Sequence, residues 1–294
     1  MKYGTGVALV LMAGVLWSVQ GLLIRQIDVA GTWTVLFWRS LGMIPVLLTF
    51  IAARSGGRVI GPIRSVGMVG VLGGLGLVLA FSGAIYALQA TTVAMAVFLF
   101  SASPFFSAVL GRVFLGESVR GTTWGAIALA VVGIGLMVRE GFALGAMAGN
   151  IAALISALGF SLFTLALRWG KLADMIPAVA LGGMFSMVAG AAIALATGQM
   201  LVPPVSDILY AVGMGAISLV GGMVLYTLGS RVIPAAELTL FSLIEVMLAP
   251  IWVWLLMGET TGAGTLWGGA VLMVAVMINA LSGLRLRRMM PAQV

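Results

Sequence analysis

The sequence predicts an all-α integral membrane protein of ten transmembrane helices, built as two inverted five-helix repeats. Three observations carry this. First, 62% of the 294 residues are hydrophobic and only 8% are charged, with a mean hydropathy of +1.21. A soluble domain carries roughly 25% charged residues, so this chain cannot coat itself against water. Second, the apolar residues gather into ten runs, each near the roughly 20 residues that a helix needs to cross a bilayer. Third, the landmarks of the first half return in the second.

The ten runs cover 4–24, 32–53, 66–88, 92–115, 121–138, 146–168, 175–197, 208–230, 234–257 and 262–283. Loops of a few residues join most of them, leaving no room for a soluble domain. The first run follows Lys2 and contains Trp17, Ser18 and Gln20. It is longer than a signal-peptide core and lacks a small-residue cleavage site, so it is expected to be retained. No Arg/Ser-rich transit segment precedes it, which points to a prokaryotic plasma membrane.

The net charge of +7 would suggest a nucleic-acid partner in a soluble protein. Here the basic residues lie between apolar runs, where they set orientation instead. With the N-terminus inside, the cytoplasmic segments hold Lys2, Arg54, Arg58, Arg64, Arg112, Arg120, Arg168, Lys171, Arg231 and the C-terminal arginines. The outer segments hold only Arg25 and Arg139, so both termini are expected in the cytoplasm.

The halves, 1–144 and 145–294, match at an offset of 142–143 residues. Gly6, Ser18 and Arg25 return as Gly149, Ser161 and Arg168, and Trp124-Gly125 returns as Trp267-Gly268. The fourth run contains Pro104 and closes in Leu-Gly-Glu at Glu117; the ninth contains Pro250 and closes in Met-Gly-Glu at Glu259. Five helices per half is an odd number, so the second half enters the membrane inverted. Transporters use this architecture, with the solute site near the midplane where the halves meet.

These paired five-helix halves, each with a proline-bearing fourth helix ending in Leu/Met-Gly-Glu, resemble the drug/metabolite transporter superfamily, EamA type. The resemblance runs over essentially the whole chain. One departure is that Glu245-Val246 stands where the family often has Glu-Pro, with the proline one turn on at Pro250. The resemblance implies a secondary transporter whose cavity is lined by the first, third, fourth, sixth, eighth and ninth helices. It also implies export of amino acids or related metabolites across the inner membrane.

Among single residues, Glu245 stands out. A carboxylate at mid-bilayer is costly and is by default a functional-site hypothesis. It could carry a proton, bind a substrate ammonium group, or only fix helix packing. Arg39, the one cation well inside a span, could pair with Glu245 if the second and ninth helices are adjacent. It could also clamp a substrate carboxylate, since guanidinium binds carboxylate bidentately, or simply snorkel.

Polar and aromatic groups that would line the cavity are Trp17, Ser18 and Gln20, with Phe160, Ser161 and Thr164 on the sixth helix. Tyr86, Tyr226, Phe98, Ser101 and Phe105 complete the set. A mostly apolar pocket with a few placed polar groups is what small solutes need. Each of these residues also has a plain packing role open to it, because hydroxyls bond their own preceding turn and aromatics pack. Pro104 and Pro250 would kink their helices and free backbone carbonyls. Glu117 and Glu259 would cap the helix that follows each, and Asn279 would make an interhelical hydrogen bond.

There is no cysteine and no histidine, which removes thiol chemistry and the commonest metal ligand. No metal, cofactor or nucleic acid is called for, and an intramembrane enzyme has no clustered nucleophiles to work with. A Walker-type loop is missing too, which disfavours an ATP-driven pump. The expected partners are a small-molecule substrate and the bilayer, with either a monomer or a homodimer compatible. The expected function is therefore secondary transport by alternating access. The alternative is a passive channel or facilitated-diffusion pore for small metabolites.

Overall fold

The computed structural model describes residues 2–143, 145–172, 174–233 and 235–289, with the side chains at 235–237, 239–240, 242 and 283–289 left undescribed. The described residues are helical almost throughout. In a bilayer core no water can satisfy backbone groups, so each segment must satisfy its own, and helices do this.

Ten long helices follow in chain order. They are α1 (Tyr3–Ile24), α2 (Thr32–Arg54), α3 (Gly67–Ala90), α4 (Val93–Leu115), α5 (Gly121–Ala143), α6 (Met147–Trp169), α7 (Ile176–Ala196), α8 (Val205–Gly229), α9 (Ala235–Met257) and α10 (Ala263–Met289). Among the described residues nine of these have the length and hydropathy to cross a membrane, and α9 is apolar over Leu243–Met257. A short helix, Ile60–Ser65, sits in the α2–α3 connection. The chain is a multi-pass membrane protein.

Three helices are not regular. α1 divides into Tyr3–Ser18 and Gln20–Ile24, and α4 divides into Val93–Phe100 and Ser103–Leu115. Pro104 explains the second break. It stands in the first turn of the second piece, where its missing N–H costs nothing. The third irregularity is a π-helical stretch of α8, Met214–Gly221. By contrast, α9 runs unbroken through Pro250, so the two prolines do not act alike.

The main packing pairs are α3 with α6, α5 with α10, α2 with α7, α3 with α7, and α1 with both α8 and α9. α4 packs on α6, and α2 on α8. Each of these joins one half of the chain to the other. Small residues make the close approaches, because lipid supplies no hydrophobic force to drive helices together. At the α3–α6 seam a side chain at Gly159 would stand 2.6 Å from the Ala80 nitrogen and 2.7 Å from the Gly76 carbonyl. Ser156 donates to the Ala80 carbonyl across the same seam at 2.7 Å. At the α5–α10 seam Gly133 and Gly268 face one another's carbonyls in the same way. Thr123 there donates to Asn279 at 2.9 Å, the interhelical bond expected of that asparagine.

Candidate functional site

The polar residues of α1 organise the middle of the bundle. Trp17 Nε1 donates to the Leu219 carbonyl of the π-helical stretch at 3.1 Å. Its ring lies 5.5 Å from that of Tyr226, tilted by 40°. Ser218 donates to the Leu16 carbonyl at 2.5 Å. A π-helical turn leaves carbonyls offset from the regular ladder, and such turns gather at functional sites. Ser18 is fully buried. It donates to the Val15 carbonyl and accepts from Trp252 Nε1 of α9 at 2.9 Å.

Two residues on, Gln20 accepts from Arg39 Nη2 at 2.9 Å. The Arg39 guanidinium lies 4.8 Å from the centroid of the Phe81 ring on α3, in reach of a cation–π attraction. With 4% of its surface exposed, Arg39 does not snorkel to water. Its Nε is buried without an acceptor. A cation with a bare N–H inside the bundle leaves binding capacity unused.

Glu245 is half-buried on α9. The ion pair with Arg39 is not formed. α2 packs on α7 and α8 rather than on α9, and the guanidinium is taken up by Gln20 and Phe81. Glu245 has no hydrogen bond or ion pair among the described residues. Its backbone is fixed against α1, where a side chain at Gly14 would stand 3.6 Å from the Glu245 nitrogen.

The other lining residues do not all gather here. Ser161 donates within α6 or to the Ser103 carbonyl of α4, each at 2.8 Å. Thr164 and Ser101 bond their own preceding turns. Phe98 packs against Gly269 of α10. Phe105 is buried among Ala126, Ala130, Leu272 and Ala275 of α5 and α10. Phe160 is 49% exposed and touches Phe163; Tyr86 is 42% exposed. Trp17 with Tyr226, Ser18 with Trp252, and Gln20 with Arg39 are thus three contacts made from one stretch of α1. Among the described residues no side-chain bond joins the α4 and α6 residues to them.

Sequence reasoning missed Trp252, Phe81 and the Leu219 carbonyl. It also misassigned the helix-end carboxylates. Glu259 does not cap α10. One of its oxygens accepts from the Val93 nitrogen at the start of α4 at 2.7 Å, and the other takes Arg25 Nε at 2.7 Å. The α10 start is capped by Glu140, which accepts from the Thr265 nitrogen at 2.6 Å. Glu117, at the other end of α4, pairs with Arg168. A cleft of about 390 Å³ opens beside the Arg25–Glu259 pair, bordered by Thr92, Met95, Glu140 and Thr265. No group of residues that could hold a metal is present among the described ones.

Residues 4–139, the first five helices almost entire, match the EamA-like transporter family. That match places the first five helices, a little under half of the chain, with the drug/metabolite transporter superfamily. The matched family is one of transporters. No curated protein matches its sequence. A solved structure described as "Crystal structure of protein" superimposes with a TM-score of 0.64 at 20% identity, covering 96% of this chain and 99% of that one. At that identity the likeness concerns the fold alone.

Proposed function

We propose that this EamA-like protein is a secondary transporter exporting a small amino acid or related metabolite by alternating access of two inverted five-helix halves. It would sit in the plasma membrane with both termini in the cytoplasm. The observation that carries the reading is a pair of opposite charges inside the bundle, neither paired with the other. Both are registered on α1: the Glu245 backbone at the level of Gly14, and the Arg39 guanidinium at Gln20.

Six residues of helix separate those levels, about 9 Å at 1.5 Å per residue. In an α-amino acid the nitrogen and a carboxylate oxygen lie about 3 Å apart across three bonds. Adding a charge-assisted hydrogen bond of about 2.8 Å at each end gives roughly the same span. Arg39 would take the carboxylate through its bare Nε, and Glu245 the ammonium group. Trp17 and Tyr226, stacked between those levels, would supply the apolar wall. Glu245 would also be the group that exchanges a proton if transport is proton-coupled, since the chain has no histidine.

The packing supports the inverted repeat behind this mechanism. The contacts of α1 with α8 and α9 have their counterparts in those of α6 with α3 and α4. Counterflow in proteoliposomes tests the function. An internal amino-acid load should accelerate uptake of the labelled solute, and the initial rate should saturate. Flux that neither saturates nor responds to the internal load would instead indicate a pore.

A further inference from the structure

Two arginine–glutamate pairs stand at opposite ends of the bundle. Arg25 ends α1 and meets Glu259 just beyond α9; Arg168 lies in the last turn of α6 and meets Glu117 just beyond α4. The repeat offset carries one pair onto the other, Arg25 to Arg168 and Glu117 to Glu259. Each pair takes its arginine from one half and its glutamate from the other. α4 spans the distance between them, with Val93 bonded to Glu259 and Glu117 beyond its far end. Its 23 residues set the pairs about 35 Å apart, the depth of a bilayer core plus its margins.

The pairs are built unequally. Arg25 also donates to the carbonyls of Leu88 and Thr91, each at 2.6 Å, while Glu259 holds the Val93 nitrogen. That end thus ties together α1, α3, α4 and α9. Its side chains are 22% and 17% exposed. Among the described residues the side chains of Arg168 and Glu117 bond only each other. Their side chains are 35% and 44% exposed. Exposed pairs gain little, and water screens them, whereas the half-buried Arg25–Glu259 pair has its charges satisfied by three extra bonds.

We infer that the two pairs are opposed latches, each holding one mouth of the solute path shut, with the Arg25–Glu259 latch the stronger. This rests on the alternating-access reading and adds to it the residues that set which mouth opens. The Arg25 mouth opens only when a four-helix knot is undone. The Arg168 mouth opens when one wet ion pair parts, so the protein at rest favours opening at the Arg168 end.

The chain has no cysteine, so a single introduced thiol reports without background. Met95 is 2% exposed and borders the cleft behind the Arg25–Glu259 pair. Met95→Cys in nanodiscs, treated with an impermeant maleimide and no solute, reads opening of that mouth. Glu259→Gln should speed the labelling by roughly fivefold to tenfold, and Glu117→Gln should slow it by several-fold, as two substitutions pulling one equilibrium in opposite directions must. Changes of the same sign from both, or no change from either, would overturn the latches, because mere structural glue loosens the thiol whichever pair is cut. If Glu259→Gln is not monodisperse by gel filtration, Glu117→Gln decides alone: slower labelling supports the latches, and unchanged or faster labelling sinks them. Counterflow failing for every amino acid would leave these signs intact, so a wrong solute and a wrong latch give different results.

Discussion

α4 and α9 close in the matching sequences Leu-Gly-Glu and Met-Gly-Glu, yet one is broken, with Ser103 near its middle, while the other is continuous and carries the carboxylate Glu245 there. Both close the same way. Gly116 and Gly258 take left-handed φ values of +66° and +68°. The following glutamate then donates its N–H back six residues, Glu117 to the Gly111 carbonyl and Glu259 to that of Val253, each at 3.2 Å. Each helix thus stops at a left-handed residue, a conformation for which glycine has no Cβ penalty. The frame is therefore shared. What differs lies inside it: Ser103 stands where α9 has Glu245, and the chain breaks before Pro104 but not before Pro250. Shared features are what the fold needs twice, and unshared ones are free to serve a single solute path.

The sharpest way to break that contrast is to remove the carboxylate. Glu245→Gln should lower transport at least tenfold and flatten its dependence on pH, while the protein still elutes as a single folded species. Ser103→Ala, at the matching position, should leave the rate within about twofold. Equal losses from the two would end the claim that α9 is the working copy.

A middle-sized effect is expected at the helix ends. Glu259→Gln strips a charge from a knot of satisfied bonds and should destabilise the fold by about 1–3 kcal/mol. Glu117→Gln removes an exposed pair and should cost no more than about 1 kcal/mol. Melting of the purified variants measures both. Raising the salt concentration should narrow the cost of Glu117→Gln further and affect that of Glu259→Gln less, because screening acts on exposed charges.

The smallest difference should come from the prolines. Pro250→Ala restores an N–H in the interior of α9 and should raise the melting temperature. The gain should be of order 1 kcal/mol, under the roughly 3 kcal/mol that an interior proline costs. Pro104 already stands where a helix starts, so Pro104→Ala should leave melting unchanged. A larger response at Pro104 would mean that its break is strained.

The spans were legible in the sequence because the bilayer imposes a length and a composition that any apolar run displays locally. The expected 32–53 became Thr32–Arg54, and 175–197 became Ile176–Ala196. Helix α5 ran five residues past the expected 138, since Arg139 and Glu140 continue the helix instead of ending it. Partners were not legible. Arg25 and Glu259 are 234 residues apart, and nothing near either one names the other. The same is true of Phe81 beneath Arg39. The π-helical stretch of α8 carries no proline to announce it, and it coincides with the contacts of Leu219 with Trp17 and of Gly215 with the Arg39 carbonyl. Glu245 was singled out for its cost in lipid, and its expected partner was misjudged because helix adjacency follows topology, which a periodic pattern does not contain.

The pairing of helices across the two halves also bears on how the molecule is made. Synthesis delivers the first half before the second. When α5 has entered the membrane, α3 still lacks α6 and α7, α2 lacks α7, and α5 lacks α10. The Gly133 groove waits for Gly268 until the last helix arrives. The early chain must therefore sit in lipid as loosely associated spans with small-residue grooves open, and closure is reserved for the final helices. A truncation that removes α10 leaves more than a missing strut at one edge, because α5 has then lost its main partner.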